Sequence, residues 1–176
     1  MMDDRQFEEN ISRICENDKS GLRAIYEDYN PMIYSMVLSV LHNREDAEDV
    51  TSEFFIRLWD IAGTYRAGSG HRAWMITVAR NMAIDFLRKH HREVLSAEIP
   101  EYLQAGQEAY ETQLCERLNL EQALTTLKEE ERQIVNLKIM GELTFQEIAG
   151  ILKKPLGTVT WRYRTAIQKL KRCSYD

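Results

Sequence analysis

The 176-residue chain is short of the residues that interrupt or cross-link a fold: it has three prolines, eight glycines and three cysteines. So little proline and glycine excludes collagen-like and low-complexity sequence. An apolar content of 44% excludes a chain too polar to bury a core. Cys15, Cys115 and Cys173 are odd in number, far apart and without metal-ligand spacing, so free thiols in a reducing compartment are expected. Long hydrophobic runs are missing too. The longest mostly apolar stretch, residues 32–41, is about half of what a bilayer span needs. No basic segment with an apolar core opens the sequence, so no signal peptide is expected. Neither a Ser-His-Asp or Cys-His arrangement nor a Gly-rich phosphate loop is present, and three of the four histidines stand on a basic segment. No catalytic residue, metal or cofactor is expected, and hence no enzyme. The composition fits a soluble, cytoplasmic protein of one domain or two small ones.

What is present is charge, unevenly placed. The net charge of −5 hides two basic segments. Residues 64–92 carry six Arg or Lys against one Asp, and residues 150–176 carry seven against one. Residues 1–63 are strongly acidic, with 14 acidic and six basic groups, and residues 93–116 hold six acidic groups and no basic one. Salt screening lets two such basic surfaces act locally whatever the overall sign.

Apolar residues recur at helical spacing through most of the chain, and nowhere do they alternate as in a hairpin. A first helix is expected over about 21–41, with Pro31 kinking or splitting it. Asn43 caps a second, whose stripe is Ala47, Val50, Phe54, Leu58 and Ile61. Residues 63–70 read as a loop, and a helix over about 71–90 should turn Trp74, Val78, Met82 and Phe86 inward. Periodicity weakens from Ser96 to Glu116, then resumes in pieces at about 117–126, 129–139, 144–152 and 157–172. The expected architecture is all-α: a helical domain over 1–95, an acidic linker over 96–116 and a second helical domain over 117–176.

In the second domain, Thr144 and Glu147 have capping-box spacing. The short helix they open is broken at Lys153-Lys154-Pro155, and Thr158 is placed to cap the next. Val159, Tyr163, Ala166, Ile167 and Leu170 should face inward there. A short helix, a tight turn and a basic helix with polar groups in its first turns suit a helix-turn-helix on duplex DNA. A helical bundle with a solvated basic face is the plain alternative.

In the first domain, Asp46, Asp49 and Glu53 fall on consecutive turns beside Ser52, Phe55 and Trp59. Such a face is either solvated or a protein-docking surface with aromatic anchors. Tyr65, Arg66, His71, Arg72, Arg80, Asn81, Arg88, Lys89 and Arg92 mix with Trp74 and Phe86. That mixture suits single-stranded nucleic acid, where bases stack and phosphates meet cations. Asn81 either reads a base edge or is merely solvated, and Trp74 fits the core.

Four blocks in order carry a resemblance. The run from Asp46 to Val50, followed by that from Glu53 to Trp59, resembles the polymerase-binding helix of extracytoplasmic-function (ECF) sigma factors. Arg72 to Asn81 and Ile84 to Arg88 are similar to their promoter-melting helix. Leu127 to Arg132, Leu143 to Ala149 and Pro155 to Val159 resemble their C-terminal promoter-binding domain. The resemblance covers roughly residues 20–92 and 117–172. It implies that residues 1–95 form sigma region 2 and residues 117–176 form sigma region 4 of an alternative bacterial sigma factor. Its partners would be core RNA polymerase, promoter DNA in duplex and melted form, and an anti-sigma factor. Asp49, Ser52, Glu53 and Phe55 would bind polymerase. Tyr65, Arg66, Arg80, Asn81, Arg88 and Lys89 would engage the minus-ten element. Pro155, Gly157, Thr158, Thr160, Trp161, Arg162 and Arg164 would meet the minus-thirty-five element. Ser52 stands where Gln is usual, Thr77, Thr160 and Thr165 where basic residues are frequent, and Trp161 where a small residue is usual. A helix-turn-helix regulator that acts on duplex DNA without polymerase is the alternative; it would leave the acidic-aromatic helix unexplained.

Overall fold

The computed structural model describes residues 1–96 and 127–173. Among them, the regular elements are all helical: α1 Asp4–Cys15, α2 Lys19–Leu41, α3 Arg44–Ile61, a 3-10 turn Ala62–Thr64, α4 His71–Ser96, α5 Glu129–Ile139, α6 Phe145–Leu152 and α7 Leu156–Cys173. This is the all-α class expected. The linker beyond Ser96 and the expected helix over 117–126 lie outside the described residues.

Helix α1 is an element that periodicity over 21–41 did not anticipate. Asp3 accepts the Gln6 N–H at 2.8 Å, and the Gln6 side chain accepts the Asp3 N–H at 3.1 Å. This reciprocal cap satisfies two otherwise orphaned donors. Phe7, Ile11 and Ile14 form the buried stripe. Gly21 lets α1 and α2 touch, since a Cβ there would lie 2.4 Å from the Asn10 carbonyl oxygen.

Helix α2 runs as one helix through Pro31, so of the expected kink or split the split does not occur. It is the central element, packed on α1, α3, α4 and α5. Ile25, Tyr29, Met32, Ile33, Met36 and Val37 are buried along it. Burying each such side chain stabilises by about 1.5–3 kcal/mol, which together outweighs the roughly 3 kcal/mol that an interior proline costs. Asn43 caps α3 by accepting the Asp46 N–H at 3.2 Å. Ala47, Val50, Phe54 and Leu58 point inward as read, joined by Thr51 and Phe55.

The inward stripe of α4 is displaced from the expected one. Met75, Ile76, Ala79, Met82 and Ala83 are buried, whereas Trp74, Val78 and Phe86 are only partly so. The helix packs against α2, α3 and α6, so small and flexible side chains fill its central face. The bulky Trp74 sits at the rim, edge-on to Phe7 and Tyr65.

Thr144 and Glu147 form the expected capping box on α6. Thr158 is not the cap of α7, which begins at Leu156; the Val159 N–H bonds the Pro155 carbonyl at 3.1 Å. Proline's fixed φ suits a helix start, so Pro155 sets the boundary and Thr158 falls in the first turn.

The two halves share one apolar core. Ile134, Leu137, Leu143, Ile148 and Val159 join the cluster built by α1–α4. Leu127, Val135 and Ala166 form a small second cluster. Gly141 sits at the contact: a Cβ there would lie 2.8 Å from the Ile76 side chain and 2.7 Å from the Leu137 carbonyl oxygen. Arg72 of α4 pairs with Glu142 across the same boundary.

Candidate nucleic-acid and polymerase interfaces

On α3 the acidic face is exposed. Asp49, Ser52 and Glu53 all reach solvent, and the Ser52 hydroxyl donates to the Glu48 carbonyl at 2.9 Å. Phe55 is not on this face. It is buried against Phe54, and Tyr26 stands edge-on to it at 4.8 Å. Ile56 is there instead, 70% exposed one turn beyond Ser52 and Glu53. Its signal was in the sequence, since 49, 52, 53 and 56 follow the helical repeat.

The basic residues of α4 divide into groups. Arg80, Asn81 and Arg88 line a cavity of about 630 Å³, closed on its other side by Glu147, Gly150, Ile151, Leu152 and Lys153 of α6 and its turn. Burial pushes the Arg80 guanidinium below its usual pKa, and its Nε is buried without a hydrogen-bond partner. Asn81 and Lys89 are exposed, and Arg88 pairs loosely with Asp85 at 3.4 Å. Arg66 is exposed on the preceding loop. Tyr65 belongs to a different cluster: its ring meets Phe7 and Trp74, each at 5.2 Å, and burial raises its pKa. His71, grouped by sequence with the basic surface, is buried. Its ring stacks on Phe7 at 4.6 Å, with the Tyr29 hydroxyl 2.6 Å from Nε2 and the Asp4 carboxylate at Nδ1.

Helix α6, a turn through Lys153 and Lys154, and α7 form a helix-turn-helix. Lys153 takes the left-handed conformation at φ 52°, and the Lys154 N–H returns to the Ala149 carbonyl at 3.0 Å. Two carboxylates of α5 organise the basic side chains behind it. Glu130 pairs with Lys154 at 2.7 Å and with Arg162. Glu131 accepts from Lys169 at 2.7 and 2.9 Å. Burial pushes the Glu131 carboxyl up, but the hydrogen bonds from Lys169 and from the Lys128 N–H outweigh it and leave the group below its usual pKa. Arg162 therefore braces the domain, while Pro155, Leu156, Gly157, Trp161 and Arg164 are exposed and Thr158 and Thr160 are half-buried. Among the described residues no three His, Cys, Asp or Glu side chains converge as metal ligands, and no helix is long and apolar enough to cross a membrane.

An all-helical chain with a helix-turn-helix in its last third has the architecture of a transcription protein that binds DNA. Residues 25–93 match the Sigma-70 region 2 family and residues 123–172 match Sigma-70, region 4. Together the matches span about two-thirds of the chain. The chain is similar to the ECF RNA polymerase sigma factor SigK of Mycobacterium tuberculosis, at 25% identity over 93% of this chain and 90% of that one. It is also similar to SigK of Mycobacterium sp. (strain JLS), at 26% identity over 93% of this chain and 88% of that one. In fold it resembles the sigma factor RpoE of Bartonella quintana, solved in complex with the anti-sigma factor NepR. That match has a TM-score of 0.66 and 21% identity, over 87% of this chain and 96% of that one. CnrH, solved in complex with the cytosolic domain of CnrY, matches with a TM-score of 0.65 and 17% identity, over 95% and 96% of the two chains. The chain belongs to the sigma-70 family of transcription initiation factors, within its ECF subfamily.

Proposed function

We propose that this chain is an alternative sigma factor that docks on core RNA polymerase through α3 and directs initiation through two DNA surfaces. The observation that carries the assignment is the separation of three exposed faces on three helices. Asp49, Ser52 and Glu53 stand on α3, Asn81 and Arg88 on α4 beside the half-buried Arg80, and Leu156, Gly157, Trp161 and Arg164 on α7. The first, acidic face suits a basic protein surface rather than DNA. Residues 1–95 act as the polymerase and minus-ten unit, 96–116 as tether, and 117–176 as the minus-thirty-five unit. Joining two weak DNA contacts on one tether raises their effective concentration for each other. Holding an unpaired base on the α4 face offsets the few kcal/mol that unstacking costs. The chain performs no chemistry of its own and works in the cytoplasm beside polymerase.

The α4 face and α6 front one another across the cavity. Elements named minus-ten and minus-thirty-five lie some 25 base pairs apart, roughly 85 Å along the duplex at about 34 Å per turn. The closed arrangement cannot span that distance, so the promoter-bound form has the halves parted. An anti-sigma factor is the further partner; the similar RpoE was solved with one. The test is transcription from fragmented host DNA by bacterial core polymerase, with and without the purified protein, and sequencing of transcript 5′ ends. New starts sharing two upstream motifs support the assignment. No new starts from folded, inhibitor-free protein would leave it a duplex-binding regulator.

A further inference from the structure

The outward face of α7 is unusual for a basic helix, because its first turns present large apolar side chains to solvent. Trp161 is 64% exposed and Leu156 is 49% exposed. Gly157, Trp161, Arg164, Gln168 and Lys171 form one exposed stripe at steps of four and three. The two threonines nearest the indole, Thr160 and Thr165, add no free donor. The Thr160 hydroxyl donates to the Leu156 carbonyl at 2.9 Å, and the Thr165 hydroxyl donates to the Trp161 carbonyl at 3.0 Å. Three nearby cations are also committed, with Lys154 and Arg162 on Glu130 and Lys169 on Glu131. Arg164, Lys171 and Arg172 remain exposed on α7 to meet phosphates.

In the major groove, guanine and adenine are read by paired donors and acceptors, whereas thymine alone offers an apolar C5-methyl group. A large exposed indole where the helix meets base edges is matched to that methyl. We propose that Trp161 is a specificity-determining residue that reads a thymine methyl in the minus-thirty-five element. The proposal rests on the sigma-factor reading above and names what the α7 face recognises. Arg164, one turn on, supplies the phosphate contact that seats the helix. The occupant is duplex DNA rather than a protein groove, because exposed cations follow the indole along the same stripe and no exposed carboxylate stands on it.

The test uses the full-length protein with core polymerase. The minus-thirty-five element is first selected from a duplex library randomised upstream of a fixed start. Each thymine of the selected element is then replaced singly by deoxyuridine, which lacks only the C5-methyl. Loss of one methyl contact is expected to weaken promoter binding about fourfold at one position. The same replacement should have no effect in Trp161→Ala, which should also accept other bases there while keeping its salt dependence. Because the indole is exposed, Trp161→Ala should melt with the wild type. An element with no methyl-sensitive thymine overturns the proposal, as does equal sensitivity in Trp161→Ala. Promoter binding unchanged in the variant also overturns it. Absence of any polymerase-dependent start would instead strike the sigma reading, so the two failures are distinguishable.

Discussion

Ser35 of α2 and Asn136 of α5 exchange two hydrogen bonds across the boundary between the halves of the chain. The Ser35 hydroxyl donates to Asn136 Oδ1, and Asn136 Nδ2 donates to the Ser35 carbonyl, each at 2.9 Å. Asn136 lines a small pocket with Met32, Met36, Ile76, Leu137 and Gly141, residues from both halves of the chain. The pair thus fixes the register of the packing that sets α6 opposite the Arg80 face. Each bond contributes about 0.5–1.5 kcal/mol net. Asn136→Ala should therefore shift the closed-to-open balance by roughly 5- to 150-fold. Small-angle scattering should show a larger radius of gyration and hydrogen exchange should quicken in α6, with helicity unchanged. Identical scattering and exchange would mean that this pair does not hold the halves together.

The α3 face makes a prediction about polymerase alone. Asp49 and Glu53 are exposed, so replacing both by Ala removes charge without opening a cavity. Polymerase affinity should fall about tenfold or more, as expected when two charged contacts are truncated, with the melting temperature unchanged. Affinity equal to wild type would remove this face from the docking surface. Ile56→Ala should add to the loss, and Phe55→Ala should destabilise the fold by about 3–5 kcal/mol, because Phe55 is core.

The differences between what the sequence carried and what the structure holds have physical causes. The capping box at Thr144 and the α3 stripe follow from local spacing, and both are found. The α4 stripe lies one step from the one its aromatics suggest, because a bulky aromatic signals burial while packing against several helices favours Met75, Ala79 and Ala83. Helix position and the family resemblance put Phe55 beside the acids of α3 and Arg162 on the outward side of α7. Tyr26 and Glu130, 29 and 32 positions away, contact them, and no periodicity carries such partners. The shared core between the halves is equally non-local. Its one sequence signal is Gly141, whose need for close approach is visible only once Ile76 lies against it.

Asn81 separates promoter opening from docking. It is exposed beside the half-buried Arg80 on the cavity wall. Asn81→Ala should lower initiation from duplex promoters while polymerase affinity holds, and a promoter with a pre-melted minus-ten segment should recover much of the loss. Equal activity on both templates would take Asn81 off the DNA surface.

Arg162 and Arg164 are two residues apart on α7 and predict opposite behaviour. Arg164 is exposed, and Arg162 is tied to Glu130. Arg164→Ala should reduce the slope of log affinity against log salt for minus-thirty-five duplex by about 0.9, the release of one counterion. Arg162→Ala should leave that slope nearly unchanged and lower the melting temperature instead. The reverse pattern would show that Arg162 leaves Glu130 to reach phosphate.

Glu131 predicts how acid acts on the C-terminal half. It is 5% exposed, and Lys169 and the Lys128 N–H hold its carboxylate below its usual pKa despite burial. An unfolded Glu titrates near about 4.3. With the folded value depressed, the unfolded chain takes up the proton first as pH falls. The stabilisation is therefore complete above the unfolded value and is lost as pH drops through the folded one. Glu131→Gln removes the charge and leaves Lys169 with a weaker partner, so stability at pH 7 should fall by about 1–3 kcal/mol. As pH falls below the unfolded value the two proteins should converge, because the unfolded wild-type carboxyl then takes up a proton that the folded one, held by Lys169 and the Lys128 N–H, still resists. Urea titrations at pH 7, 5 and 3.5 give the comparison. A constant gap between the two proteins across that range would show that the carboxylate's charge contributes nothing and that only its shape matters.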